Sequence, residues 1–144
     1  MIGLTLRAAK SGFFDRQRVL TATTAAERRI LSRFGAFVRQ RARTSIRPRA
    51  RPSPPGQPPS SHVGLLRRHL YFSWDATQRS VVVGPVRLNQ RNGEAPRLLE
   101  YGGTAVRHHG NRAVIARYLP RPYMAPAFQA ELTRLPPHWR NSIR

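Results

Sequence analysis

The stretch AERRILSRFGAFVRQRARTSI, residues 26–46, carries apolar side chains at intervals of three and four residues. This spacing places them on one face of an α-helix, and such a face is normally buried. The arginines of the stretch lie mostly off that face. We therefore predict an amphipathic helix as the main packing element of the fold. Its apolar positions are Ala26, Ile30, Phe34, Phe37, Val38, Ala42 and Ile46.

The start of this helix has two candidates. Asp15 as the cap gives a helix that runs to about Arg47, on the order of 50 Å at about 1.5 Å per residue. Thr24 and Glu27 instead form a capping box, which gives a later start after a separate turn. We favour the longer helix. Pro48 ends it, because proline disfavours helical geometry at the residue before it.

Residues 48–62 are rich in proline and predict an extended segment, with a bend at Gly56. The run from Pro52 to Pro55 matches the pattern P-x-x-P, but that pattern is common by chance in proline-rich sequence. We therefore favour an extended arm, or a loop between two elements, over a recognition ligand.

The remaining segments predict mainly antiparallel strands in one sheet of three or four strands. Residues 2–6 alternate, while 65–74 and 80–85 flank a polar turn. A loop at 87–97 follows, and 116–120 closes another strand. The run Val81, Val82, Val83 suits a strand covered on both faces. Tyr71, Phe72 and Trp74 are interpreted as strand core.

The last element is a helix within residues 121–135, with Pro126 in its first turn. Pro136 and Pro137 stop it, which leaves 136–144 as a terminal extension. Its apolar face comprises Met124, Ala127, Phe128, Leu132 and Leu135. The predicted fold class is α+β: a long N-terminal helix and a C-terminal helix packed on a small, mainly antiparallel sheet, with the proline-rich arm or loop, in one domain over 1–135.

Charge points to an anionic partner. The 144 residues include 26 Lys and Arg against 6 Asp and Glu, a net charge of +20. Nucleic acid or an acidic protein surface would neutralise it. The chain has no cysteine, no secretory signal pattern and no run of about 18 apolar residues. We expect a soluble intracellular protein that does not contact membranes.

Catalytic, metal-binding and cofactor-binding patterns are not found, so we do not expect an enzyme. His108 and His109 are adjacent, so on a strand they point to opposite faces. The six acidic residues are spread along the chain, which gives no paired carboxylates. Glu100, in LLEYGG, is expected to form an ion pair with one of the arginines.

Five features occur in a distinctive order: the long N-terminal helix, then Val63–Arg67, Val83–Pro85, Glu100–Gly102 and Arg121–Ala127. In this order the chain resembles the head–tail joining and tail-completion proteins of long-tailed bacteriophages, the lambdoid gene-product-10-like group. Two features depart from that pattern: Val63 stands where threonine is frequent, and arginine is more abundant. The motif residues are Gly64, Leu66, Gly84, Pro85, Glu100, Tyr101, Gly102, Arg121, Pro122 and Pro126.

The resemblance implies a structural virion protein that forms a ring, commonly six-fold, at the phage neck. Its implied partners are further copies of itself, head-closure or connector proteins, and tail-terminator or tail-tube proteins. Genomic double-stranded DNA would pass through the channel. The protein would be assembled in the host bacterial cytoplasm and would reside in the virion.

A basic band spans the end of the long helix and the start of the proline-rich segment. It provides candidate contacts to a neighbouring subunit or to DNA, and we favour the protein contact, since a strongly attractive channel would slow DNA passage. The alternative function is a basic nucleic-acid-binding protein, although no known base-reading module is evident. The band comprises Arg39, Arg41, Arg43, Arg47, Arg49 and Arg51.

Overall fold

The computed structural model describes residues 15–86, 94–110, 112–140 and 142. It has the predicted α+β architecture, with a long helix near the N-terminus and a further helix near the C-terminus. The helices are α1 Arg16–Ser45, α2 Leu65–Arg68, α3 Ala95–Tyr101, α4 Met124–Leu132 and α5 Leu135–Trp139. The strands are β1 Leu70–Asp75, β2 Ser80–Pro85, β3 Gly103–His109 and β4 Arg112–Tyr118. The strand predicted at 2–6 lies outside the described residues.

Helix α1 begins at the earlier of the two predicted positions. The Asp15 side chain accepts a hydrogen bond from the backbone N–H of Arg18 at 3.0 Å, which satisfies one of the free donors of the first turn. The helix ends at Ser45, and Ile46 is already extended, two residues before Pro48. The predicted stripe is buried except at Phe37, which stacks on His138.

The core lies between α1, α4 and the hairpin of β1 and β2. Gly35 is what allows α1 to approach β2, because a Cβ there would lie 2.5 Å from Cγ2 of Val81. The cluster of buried residues comprises Phe34, Val38, Ala42, Ile46, Leu66, Leu70, Tyr123 and Ala127.

The four strands form two separate antiparallel hairpins, β1–β2 and β3–β4, and not the single sheet that we predicted. The segment 65–74 also begins with the helical turn α2, so its strand starts only at Leu70. Val82 is 59% exposed, which corrects the prediction that β2 is covered on both faces. A two-stranded sheet packed on one helix leaves its other face open. Tyr71 is 51% exposed and is not strand core, whereas Phe72 and Trp74 lie on the face toward α1 and are only partly exposed.

Two boundaries differ on the C-terminal side of the chain. Residues 95–97 belong to α3, with Pro96 in its first turn, where the missing N–H has no cost. The rest of the predicted loop is described only at residue 94. Strand β4 starts at Arg112, earlier than the predicted 116–120, because it pairs along its full length with β3.

The C-terminal helix ends at Leu132, and Pro126 lies in its first turn as predicted. Pro136 and Pro137 therefore do not end this helix, contrary to the prediction. They lie in the first turn of the short helix α5, for the same reason that Pro96 begins α3. Phe128 and Leu132 remain partly exposed, although Phe128 contacts Phe34 edge to face.

The proline-rich segment is a loop between elements that closes on itself and packs against the body. Its ends meet where the Ser61 N–H donates to the carbonyl of Arg47 at 3.1 Å, and the Gly56 N–H donates to the carbonyl of Pro120 at 2.8 Å. Gly56 provides the predicted bend, with φ of 80°. Of the two alternatives for 48–62, the structure shows the loop and not a projecting arm.

No helix in the described ranges is both long enough and apolar enough to cross a membrane.

Candidate functional site

Three of the motif segments meet in one groove, although they are distant in sequence. The groove has a volume of about 340 Å³ and lies beside the end of β2 and the helix α3. It brings together Val83–Pro85, Glu100 with Tyr101, and Tyr123 with Met124. The other lining residues are Val86, Pro96 and Arg97.

Glu100 joins α3 to the start of α4 and is only 7% exposed. Its carboxylate accepts hydrogen bonds from three consecutive backbone N–H groups. Those of Tyr123 and Met124 donate to Oε2 at 2.9 and 3.0 Å, and that of Ala125 donates to Oε1 at 2.8 Å. These N–H groups have no partner within α4, and a negative charge at a helix N-terminus is favourable. Glu100 therefore caps a helix that lies more than twenty residues away.

The expected ion pair between Glu100 and an arginine is wrong: no arginine of the described residues pairs with it, and both carboxylate oxygens are taken by α4. One sequence signal pointed to the cap. Residue Tyr123 precedes α4 where Ser, Thr, Asp or Asn would normally stand, and it offers no capping oxygen. A helix that lacks its own capping side chain needs a hydrogen-bond acceptor from elsewhere in the chain.

Burial at the same place changes the titration of Tyr123, which is 1% exposed. Desolvation raises the pKa of its hydroxyl well above the ordinary value of 10.0, and the charges of Glu100 and Tyr101 raise it further. The phenolate is therefore strongly disfavoured in the folded protein.

We expect stability to fall as the pH rises above about 10, because the unfolded chain then loses a proton that folded Tyr123 retains. Below that pH the contribution of Tyr123 to the free energy of unfolding is fully present. Tyr123→Phe removes the ionisable group and should flatten this alkaline decline, measured as the free energy of unfolding between about pH 9 and 11. Tyr71→Phe, at a position that is 51% exposed, is the matched control, and a decline in Tyr123→Phe equal to that of the parent would contradict the assignment.

The other motif residues shape the backbone around the groove. Gly102 has φ of 72°, and Arg121 donates from Nε to the carbonyl of Ser53 at 2.8 Å, which ties the segment before α4 to the proline-rich loop. Pro122 lies between Arg121 and the buried Tyr123. Gly64, with φ of 76°, is the cap residue just before α2, and Leu66 in that helix belongs to the core and not to this groove.

The basic band is divided by the structure. Arg39 donates from Nε to the carbonyl of Leu70 at 2.5 Å, and its guanidinium lies 5.9 Å from the ring centroid of Tyr71. Arg41 pairs with Glu131, whose side chain is 5% exposed. Arg43 is half-buried. The first half of the band thus mainly stabilises the fold.

The second half of the band is exposed. Arg47, Arg49 and Arg51 lie on the proline-rich loop, and none forms an ion pair with any residue that the structure describes. Arg47 and Arg49 line a cavity of about 270 Å³ together with Ser45 and Ser60. Of the band, these three arginines remain available to contact an anionic partner.

We expect mutations in the two halves of the basic band to have different effects on stability. Arg41→Gln should lower the free energy of unfolding by about 2 kcal/mol, because it leaves the buried Glu131 carboxylate with only Arg134, at 3.7 Å. The triple variant Arg47→Gln, Arg49→Gln, Arg51→Gln should stay within about 0.5 kcal/mol of the parent. Urea denaturation measures both. A triple variant as unstable as Arg41→Gln would show that the loop arginines also hold the fold.

Of the hairpin of β3 and β4, the sequence predicted only the end of β4, within 116–120, and neither β3 nor the pairing of the two strands. Seven residue pairs join its strands, from Gly103 with Tyr118 to His109 with Arg112. Neither strand packs extensively against any other described element. We call this hairpin, Gly103–Tyr118, the ribbon. The available signal was the continuous apolar run of residues 113–116 in β4, which includes the β-branched Val114 and Ile115.

The part of the chain that the structure describes contains no group of three or more His, Asp or Glu side chains placed to hold a metal ion.

Comparisons with protein-family models, with curated proteins and with solved structures find no significant match to this chain. The resemblance to phage neck proteins therefore rests on the motifs and their order.

Proposed function

We propose that the protein is a structural subunit that assembles with further copies of itself into a ring at the neck of a long-tailed bacteriophage. In this role it joins the head connector to the tail, next to head-closure and tail-terminator or tail-tube proteins. It would act in the virion after assembly in the host bacterial cytoplasm, and it would not be an enzyme.

The observation that carries this proposal is the convergence of the motif segments around Glu100. Residues that resemble a phage family only as separate short patterns meet at one place, where Glu100 bonds α3 to the start of α4 and the end of β2 lines the same groove. The carboxylate at its centre has both oxygens engaged by backbone N–H groups, which supports a structural role for Glu100.

A basic nucleic-acid-binding protein is the second candidate, and one observation favours it. Arg47, Arg49 and Arg51 are exposed on one loop of a chain with a net charge of +20. Accessible arginines are sufficient to bind the phosphates of a nucleic acid, and the affinity of such binding falls steeply as the salt concentration rises. In a ring, the same arginines would face either the DNA channel or an acidic neighbouring ring.

The deciding experiment measures the mass of the purified protein in solution across a salt series, with and without duplex DNA. We expect a defined oligomer larger than a dimer, at a mass that DNA does not change. A monomer that binds DNA tightly, with an affinity that falls as salt rises, would overturn the ring proposal in favour of the second candidate. The Arg47, Arg49, Arg51 triple glutamine variant is the control for the DNA arm, because it removes the exposed cations of the band and is expected to retain the fold.

A further inference from the structure

We propose that the cavity beside the proline-rich loop is a binding site for a phosphoryl group, held by the guanidinium groups of Arg47 and Arg49 and by the hydroxyl of Ser53. The inference goes beyond the ring proposal and does not depend on it, because all the residues of the site belong to one copy of the chain.

The cavity lies between the end of α1 and the proline-rich loop. Ser45, the last residue of α1, lines one side, and loop residues from Arg47 to Ser60 line the rest. Its volume of about 270 Å³ falls just below the range of about 300–1,000 Å³ that is usual for sites of drug-sized ligands. The cavity therefore suits a small chemical group.

Hydrogen bonds across the loop fix the walls of the cavity. The Ser60 hydroxyl accepts from the backbone N–H of Ser53 at 3.0 Å and donates to the carbonyl of Arg51 at 3.0 Å. The carbonyl of Ser53 accepts from Nε of Arg121 at 2.8 Å. A site whose backbone is already held in place loses less conformational entropy when it binds a ligand.

The hydroxyl of Ser53 has no partner in this network. Ser53 is only 4% exposed, and its Oγ makes no hydrogen bond with any residue that the structure describes. Both backbone groups of Ser53 are bonded, so the hydroxyl alone is left over. A buried hydroxyl without a partner is destabilising. An anion in the cavity supplies the acceptor that this hydroxyl lacks.

The charge of the cavity favours an anion. All six acidic residues of the chain lie within the described ranges, and none of them lines the cavity. Arg47 and Arg49 form no ion pair with any residue of those ranges. The C-terminal end of α1 contributes a partial charge of about −0.5, which the two guanidinium charges outweigh.

The number of donors favours a phosphoryl group over a carboxylate. Each guanidinium presents a planar fork of N–H groups that engages two oxygens, and Ser53 adds a further donor. A carboxylate offers two oxygens, whereas a terminal phosphoryl group offers three or more. Inorganic phosphate and the phosphate at the end of a nucleic-acid strand share this chemistry.

The first measurement is a calorimetric titration of the full chain with inorganic phosphate. Chloride balances the ionic strength, so the diffuse attraction of a chain of charge +20 stays constant along the titration. We expect one phosphate per chain. The double variant Arg47→Gln, Arg49→Gln should bind it at least about tenfold more weakly, because two charge-assisted hydrogen-bond donors are lost.

A second double variant is the control for charge. Arg107→Gln, Arg117→Gln removes the same charge from two exposed positions of the ribbon and should change the phosphate affinity by less than about twofold. Circular dichroism checks the folding of both variants. Equal weakening in the two variants, or binding that does not saturate, would overturn the site.

Ser53→Ala gives a readout that a purely structural role would not produce. It should weaken phosphate binding by about fivefold, because one donor to the anion is lost. In phosphate-free urea denaturation it should be at least as stable as the parent, because it removes a buried hydroxyl without a partner. Unchanged phosphate affinity in Ser53→Ala would overturn the assignment of this residue to the site.

Two DNA duplexes of the same sequence, with and without 5′-phosphates, identify the source of the phosphoryl group. The readout is the duplex concentration that halves the binding of inorganic phosphate. Stronger displacement by the phosphorylated duplex assigns the site to a nucleic-acid end, and equal displacement assigns it to free phosphate. A protein that forms rings but does not bind phosphate would overturn the site and leave the ring proposal standing.

Discussion

Glu100→Ala lowers the free energy of unfolding by about 3 kcal/mol, which is the first of the two largest effects that we expect. The change removes the acceptor of three backbone N–H groups at the start of α4. Water can reach those of Met124 and Ala125, but the N–H of Tyr123 stays buried and without a partner, which is the costly part.

The chemistry of the cap distinguishes this effect from a loss of packing. Glu100→Gln has the same shape but turns one oxygen into an NH₂ group, which faces an N–H donor. We expect it to cost about 2 kcal/mol, most of the effect of alanine. Urea denaturation gives these values, and Glu94→Gln, at an exposed glutamate just before α3, is the matched control, expected within about 0.5 kcal/mol of the parent.

Two results would contradict the role of Glu100. If Glu100→Gln were as stable as the parent, the carboxylate would not be needed as an acceptor of all three bonds. If Glu94→Gln were equally destabilising, the effect would reflect the charge of the α3 region and not the cap.

Gly102→Ala is the second large effect, a loss of about 3 kcal/mol or more. Gly102 has φ of 72° and ψ of −173°, a combination essentially restricted to glycine. A Cβ there would also lie 2.9 Å from the carbonyl oxygen of Tyr118 and 3.1 Å from the nitrogen of Pro120. Both are backbone atoms, so neither can rotate away as a side chain would.

Two other glycines isolate the causes of that loss. Gly56→Ala has a positive φ of 80° but open space around the new Cβ, so it should cost only about 1 kcal/mol. Gly84→Ala has neither a positive φ nor a close neighbour and should be nearly neutral. Thermal and urea unfolding of the three variants give the order, and a Gly102→Ala no worse than Gly56→Ala would show that the backbone there adjusts.

Gly102 also lies between the cap and the ribbon. It connects Glu100 and Tyr101 to the first residue of β3, so its backbone sets the direction in which the ribbon leaves the body.

The local predictions succeeded where neighbouring residues decide the outcome. The stripe from Ala26 to Ile46 gave the buried face of α1, because a period of 3.6 residues is a property of the segment itself. Asp15 and Pro48 marked its two ends closely for the same reason. Pro126 and Gly56 were likewise placed correctly, since the preferred backbone angles of proline and glycine act within one or two residues.

The predictions failed where the outcome depends on distant partners. Glu100 was assigned to an arginine because arginine is abundant, yet its partners are N–H groups more than twenty residues away. Arg39 and Arg41 were grouped with Arg47 by sequence alone, but only the packing of β1 and α4 showed that the first two face inward. The strands were assigned to one sheet, since a single sequence carries little information about which strands pair.

The sequence by itself determined the long helix, its ends, the α+β composition and the strong positive charge, since each follows from short-range periodicity or from counting. The tertiary structure alone decided that three motifs meet beside Glu100, that the proline-rich segment is a closed loop, and that β3 and β4 form a hairpin of their own. These features depend on contacts between residues far apart in the chain. Such contacts form only when the whole chain has found the arrangement that satisfies its buried donors and apolar surface together.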